Sequence, residues 1–287
     1  MFPPQSLKLT HFCHFPRSAE QGVFLIEGTI NEGEKIILKI GSSDTGVLEN
    51  ERKQIAAVQC LASDLASHYV ALGVMSSSTL MDLADPSLFN TPAGKRFASR
   101  FRTCTPVFVI IMEFGSETVS KSIILMSAEP ISDETLTTKL FKLITVMVNV
   151  LVQLKECAAM LHQDAKPDNF IFNKHGRIVL IDYEHAVSKD ITNPDVSDLP
   201  GWGGQETATL ATEGFDGFVL LNSIRNHTTY RIKSLQRLTD IIVTLFPNFA
   251  ESPTYYPSTR VEDVSFADIL REVKRASTAS APTTATK

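Results

Sequence analysis

The sequence predicts a two-lobed α+β fold, with a small β-rich first part and a larger, mainly helical second part. Three observations carry this. Short β-type runs gather before residue 115 around one amphipathic helix; a long one-sided helical stripe begins near residue 133; and helical segments dominate the rest of the chain. No internal repeat interrupts this order. The boundaries expected are a first lobe over about 1–114, a second over about 115–275, and a disordered tail over 276–287, where Ser, Thr, Ala and Pro replace any apolar periodicity.

Taken in order, residues 23–30 (VFLIEGTI) and 35–40 (KIILKI) are β-type runs joined by the turn composition Asn31-Glu32-Gly33-Glu34, which predicts a hairpin. From Leu48 to about Leu65, the apolar residues Leu48, Ile55, Val58 and Leu61 fall at helical spacing among charged neighbours, predicting an amphipathic helix. Residues 76–105 are rich in Ser, Thr, Asp, Asn and Pro and read as a long loop or insertion. The run 107–112 (VFVIIM) is a strand that stops at Glu113-Phe114-Gly115.

The next element places Leu136, Leu140, Leu143, Met147, Leu151, Leu154, Ala158 and Leu161 on one helical stripe, with Asp133 and Glu134 where negative charge suits the helix dipole. Two short strands follow, 170–172 and 178–181, around the turn Asn173-Lys174-His175-Gly176. Residues 188–210 carry Pro194, Pro200 and several glycines and read as irregular, whereas 215–224 and 232–245 read as helices.

Composition narrows the function. With 287 residues, 43% of them hydrophobic, the chain can bury a full core. A net charge of −5 provides no basic excess for a phosphate backbone, so nucleic acid is not expected as a partner. The first residues lack the charged and apolar regions of a secretory signal, and the apolar stretch Leu143 to Leu154 is too short to span a bilayer. Together these predict a cytoplasmic or nuclear protein with no membrane partner. Cys13, Cys60, Cys104 and Cys157 form no C-x-x-C pair, as expected of reduced thiols.

The chemistry concentrates in His162-Gln163-Asp164-Ala165-Lys166-Pro167-Asp168-Asn169 and in Ile181-Asp182-Tyr183-Glu184. Asn169 follows Asp164 by five positions and Asp182 follows Asn169 by thirteen, room for a tight loop, a strand, a turn and a strand. Moving the terminal phosphoryl group of a nucleotide requires charge neutralisation, an aligned acceptor hydroxyl and a group to receive its proton. Asp164 suits the last two tasks, and Lys166, two residues on in an extended loop, points the same way toward the phosphate. Asn169 and Asp182 offer the hard oxygen ligands that magnesium prefers. His162 is expected to pack and hold the loop.

These segments resemble the catalytic loop and magnesium-binding segment of the eukaryotic protein-kinase superfamily. The resemblance implies a protein-kinase-like fold, ATP and magnesium as cofactors, and phosphoryl transfer to a serine or threonine of a protein substrate, the lysine of Lys166-Pro167 being similar to that of serine/threonine kinases. It also implies that Lys39 holds the inner phosphates with Glu51 as its helix partner, and that Ile111-Met112-Glu113-Phe114-Gly115 is the hinge, where backbone groups bind adenine and Met112 is the gatekeeper. Gly22 is what remains of the phosphate-cradling glycines in Ser18-Ala19-Glu20-Gln21-Gly22-Val23-Phe24. Asp216 resembles the helix aspartate that braces the catalytic loop, and Gly204-Gln205-Glu206 stands where the family has Ala-Pro-Glu.

The departures matter. Gln163 stands where many members have Arg, and Tyr183-Glu184 replaces Phe-Gly. Ile181-Asp182-Tyr183-Glu184 also looks like the choline-kinase and aminoglycoside-phosphotransferase enzymes, which would make the partner a small-molecule alcohol; a pseudokinase scaffold is the third reading. His11-Phe12-Cys13-His14 lacks a second ligand pair for zinc, and Gly201-Trp202-Gly203-Gly204 reads as a turn.

Overall fold

The protein is described from a computed structural model, which covers residues 6–12, 23–42, 47–66, 68–102, 106–115, 117–188, 212–227, 232–248, 261 and 264–278. It is a mixed α+β chain whose contacts form two compact units. A sheet unit comprises Met1–Ser116 with the short returns Asn173–Arg177 and Asp182–Glu184; a helical unit comprises Glu117–Phe172, Ile178–Ile181 and His185–Lys287.

In the sheet unit, β1 (Lys8–Phe12), β2 (Val23–Ile30), β3 (Glu34–Ser42), β4 (Tyr69–Met75) and β5 (Val107–Glu113) form one antiparallel sheet in the order β1-β2-β3-β5-β4. The expected hairpin is β2 and β3, joined by a 3₁₀ turn at Asn31–Gly33. Register places Lys39 opposite Leu25 on one side and Ile110 on the other, so the lysine sits in the middle of the sheet. Helix α1 (Val47–Leu61) buries Leu48, Ile55 and Val58 completely, as its periodicity predicts, while Leu61 is exposed at its end.

Of the stretch 76–105, the described residues 76–102 are not a loop. They hold α2 (Ser77–Leu83), a 3₁₀ turn (Pro86–Asn90) and α3 (Pro92–Phe101). The polar residues that suggested a loop are caps. Ser76 accepts from the Thr79 N–H, Asp85 from the Ser87 N–H and Thr91 from the Gly94 N–H, each satisfying a donor that a helix start leaves bare. Behind the caps, Leu80, Leu88, Phe97 and Phe101 are buried with Ile26, Leu38, Val109 and Ile111 in one core, and Phe97 and Phe101 meet the Phe24 ring edge-on.

The helical unit is built on α5 (Asp133–Ala158), preceded by β6 (Glu117–Thr118) and α4 (Val119–Ala128). Helix α5 starts at Ser132, whose hydroxyl accepts from the Thr135 N–H, and ends at Ala159 in the left-handed conformation, φ 51°. By length and composition it could cross a membrane, but half of its most apolar window is buried inside the protein. It packs against α7 (Ile232–Leu245) and α8 (Phe266–Thr278), and α6 (Glu213–His227) packs against both of those. Helix α8 runs through Thr278, into the stretch read from sequence as a tail; residues 279–287 lie outside the described residues.

After α5, β7 (Met160–Leu161) pairs with β10 (Val187–Ser188), and β8 (Phe170–Phe172) pairs with β6 and with β9 (Ile178–Leu180). The turn between β8 and β9 closes on Asn173, whose side-chain oxygen accepts from the His175 and Arg177 N–H groups; Gly176 takes φ 72°.

Candidate active site

Within the sheet unit, strand β3 carries Lys39 inward, where it is 8% exposed, and α1 carries Glu51, which is 1% exposed. The Lys39 ammonium lies 2.6 Å from Glu51 Oε2, 2.6 Å from Asp182 Oδ1 and 3.6 Å from Glu184 Oε2. Burial by itself would lower the Lys39 pKa, yet Asp182, Glu51 and Glu184 together hold it well above the ordinary lysine range, so this group stays charged. Burial pushes the Glu51 carboxyl up, and Lys39 opposes that rise. Asn50 Nδ2 donates to the Glu184 carbonyl at 3.1 Å, tying this turn to α1. Asp182 itself sits at φ 66°, a left-handed backbone that a non-glycine residue keeps only where its surroundings enforce it.

Within the helical unit, the loop from His162 to Asn169 is held at both ends. The His162 and Gln163 N–H groups donate to the two carboxylate oxygens of Asp216 at 2.8 and 2.7 Å, from a side chain that is fully buried on α6. Burial pushes the Asp216 carboxyl up to about 7 although both N–H bonds act against the rise. The Asp164 N–H donates to His162 Nδ1 at 3.3 Å, which leaves Nε2 as the protonated nitrogen donating to the Ile181 carbonyl at 3.0 Å. His162 thus braces the loop, the role its position suggests. Asp164 Oδ2 receives Lys166 Nζ at 2.7 Å and Asn169 Nδ2 at 2.8 Å, and the same Nδ2 reaches the Asp164 carbonyl at 2.8 Å. The Ile181 N–H donates to the Asn169 carbonyl at 2.8 Å, holding the end of the loop.

The sheet unit therefore gathers Lys39, Glu51 and Asp182, and the helical unit gathers Asp164, Lys166 and Asn169. The residues expected at a hinge lie at the end of β5: Met112 is buried, Glu113 is half-buried and Phe114 is 38% exposed. The Glu113 N–H donates to the His68 carbonyl at 2.8 Å and the Phe114 N–H to the Lys35 carbonyl at 3.3 Å, so these two donors already have acceptors. Lys174 reaches Glu113 Oε1 at 2.7 Å. Gly22, with the rest of residues 18–22, and the segments at 201–204 and 204–206 lie outside the described residues. His11 pairs with Glu27 at 2.8 Å; Cys13 and His14 lie outside the described residues.

Sequence reasoning left Glu184 and Tyr69 out of the site. Glu184 was visible as a second carboxylate two positions after Asp182, but its reach to Lys39 depends on the short 3₁₀ turn Tyr183–His185. Tyr69 begins β4, a strand that composition did not reveal.

Within the helical unit, Asn169 uses its NH₂ on Asp164, which leaves its amide oxygen free of that bond; within the sheet unit, the Asp182 carboxylate lies beside Lys39. Compared with models of known protein families and with curated proteins, the chain matches none.

Proposed function

We propose that the protein is an ATP- and magnesium-dependent phosphotransferase with a two-lobed, protein-kinase-like fold, its lobes covering about 1–114 and 115–275. The observation that supports it most is the placement of Lys39, from the centre of β3, within 2.6 Å of both Glu51 and Asp182, since each of these was singled out by a different segment of sequence. In this reading Lys39 binds the nucleotide's inner phosphates and Glu51 fixes the lysine's position. Magnesium, when bound by Asp182 and Asn169, neutralises phosphate charge.

Asp164 orients the acceptor hydroxyl and receives its proton as the acceptor oxygen bonds to the terminal phosphorus and the bond to the departing diphosphate breaks. Lys166 and Asn169 position the Asp164 carboxylate through the two donors on Oδ2. Lys166-Pro167 favours a serine or threonine of a protein as acceptor. The carboxylate of Glu184 beside Lys39 favours the second reading, a small-molecule alcohol acceptor of the choline-kinase or aminoglycoside-phosphotransferase type.

Phosphate transfer from labelled ATP to peptide libraries and to amino alcohols and aminoglycosides, run with wild type and Asp164→Asn, tests both readings. Wild type is expected to transfer to one acceptor class. Asp164→Asn is expected to bind nucleotide normally and lose turnover by at least about a hundredfold. Equal turnover in the two proteins overturns the mechanism, and no nucleotide binding by wild type leaves the scaffold reading in its place.

A further inference from the structure

Strands β4 and β5 are antiparallel neighbours, and a turn between two such strands needs only about two to five residues. This chain places residues 76–106 there. The described part of the insertion, 76–102, folds into α2, the 3₁₀ turn and α3, and Phe97 and Phe101 of α3 anchor it in the core of the sheet unit. The insertion thus adds a fixed surface that the hairpin does not require. That surface is basic: the run Lys95 to Arg102 (KRFASRFR) holds four cations and no carboxylate. At about 100° per residue, Phe97 and Phe101 fall on one side of the helix, and Lys95, Arg96, Ser99, Arg100 and Arg102 fall on the other. The two phenylalanines are fully buried and these five residues are exposed.

Other helices show what a solvated face is like in this protein. Lys53 of α1 pairs with Glu49, Lys121 of α4 with Glu117, and Arg271 and Arg275 of α8 with Asp268 and Glu272, each about one turn away. On α3 the pattern is different. Lys95, Arg96 and Arg102 pair with no described carboxylate, and Arg96 and Arg100 are like charges at i and i+4, a spacing at which they repel. Arg100 also donates to the Ser42 hydroxyl of β3 at 3.3 Å, which orients one member of the cluster. In a chain of net charge −5, these cations are concentrated on one face rather than balanced in place.

We propose that the outer face of α3 docks an acidic segment of a partner protein, a run of Asp and Glu side chains, through Lys95, Arg96, Arg100 and Arg102. Charge complementarity selects this occupant. A guanidinium group takes a carboxylate through two parallel hydrogen bonds, and three of the four cations are arginines. From Lys95 to Arg102 the face runs about 10 Å along the helix axis. An extended chain sets every second side chain about 7 Å apart on one side, so a short acidic run brings two or three carboxylates to a face of that length. Other anionic partners find less here. No large hydrophobic side chain of 76–102 is exposed to enter a lipid surface. Nor does the face offer an exposed ring for stacking on bases, or the roughly six to ten phosphate contacts of a strong duplex binder. This surface goes beyond the phosphotransfer reading and stands without it, because no residue of that site takes part.

Fluorescence anisotropy of a labelled oligoglutamate peptide, titrated with the full chain at low and at physiological salt, tests the proposal. Wild type is expected to bind, with an affinity that falls as salt rises. The double variant Lys95→Gln/Arg96→Gln is expected to bind at least about tenfold more weakly, and Arg102→Gln about threefold more weakly, with thermal unfolding unchanged in both. Lys53→Gln/Lys121→Gln removes the same charge from other helices and is expected to bind like wild type. No peptide binding by wild type at low salt, or equal losses in the two double variants, overturns the docking face. Tighter binding of phosphatidylserine vesicles or duplex DNA than of the peptide, weakened by Lys95→Gln/Arg96→Gln, overturns the assignment to an acidic protein segment. Peptide binding through this face with no phosphate transfer rejects the proposed function and leaves the docking face standing.

Discussion

Replacing His68 with phenylalanine is expected to flatten the acid limb of the stability curve. The imidazole is fully buried just before β4, neither ring nitrogen has a hydrogen-bond partner, and the ring lies 4.1 Å from that of Tyr69. Burial alone pushes its pKa from 6.5 down to about 4. A base with a depressed folded pKa binds more protons in the unfolded state. Its contribution to stability is therefore complete above about pH 6.5 and is lost as pH falls through about 4. At about 1.4 kcal/mol per pH unit, that interval is worth about 3 kcal/mol. Phenylalanine has nothing to protonate, and near neutral pH it removes two unsatisfied polar atoms at the cost of a slightly larger ring, so the two proteins should be similar in stability there. Urea titrations of both proteins from neutral pH to about pH 4 measure the difference, which should move by about 3 kcal/mol in favour of the variant. A difference that stays constant over this range means that His68 titrates like a solvated or partnered histidine, and it refutes the reasoning.

Asp216→Ala leaves the His162 and Gln163 N–H donors buried without their acceptor and should cost about 2–6 kcal/mol in urea titration. Because the Asp216 pKa is raised to about 7, its own contribution fades as pH rises through that value, so the loss should be larger at acid than at alkaline pH. Gly94→Ala reverses the usual helix-propensity gain of about 1 kcal/mol, since the added methyl would fall on the Leu88 carbonyl and the Phe89 backbone; thermal unfolding should show a net loss of about 2 kcal/mol. Ala159→Gly relieves a left-handed non-glycine cap and should raise stability by up to about 1 kcal/mol, read as a higher melting temperature.

What the sequence disclosed depended on how local the cause was. Strand β2 falls on the residues its alternation marks, and α5 on its stripe, because period and burial agree there. Residues 76–105 misled because Ser, Thr and Asp serve loops and helix starts equally, and only the packing of Phe97 and Phe101 against the sheet decides between them. Strand β4 contains Gly73 and exposes Val70 and Val74, so its pairing with β5 is a tertiary fact with little local signal. Helix α8 was missed: Phe266, Ile269 and Val273 lie on one buried side, but its polar composition and closeness to the Ser/Thr-rich end hid the stripe. In the site, Asp164, Lys166 and Asn169 were readable because one short loop carries all three. Lys39 and Glu51 needed the resemblance to single them out, and Glu184 needed the turn that brings it back to Lys39.

Backbone strain falls at two of the residues that the proposed function uses or adjoins. Gln163 and Asp182 both adopt left-handed conformations, at φ 65° and 66°, where a residue with a side chain costs about 1–2 kcal/mol. One precedes Asp164 directly and the other is the proposed metal ligand. Each is held by specific partners: the Gln163 N–H by Asp216, and the Asp182 carboxylate by Lys39. Ser6, Asn31 and Ala159 share the conformation away from these residues, so the strain by itself does not mark a site. Under the proposed function it has a use, because a carboxylate aimed in advance avoids reorganisation during the reaction.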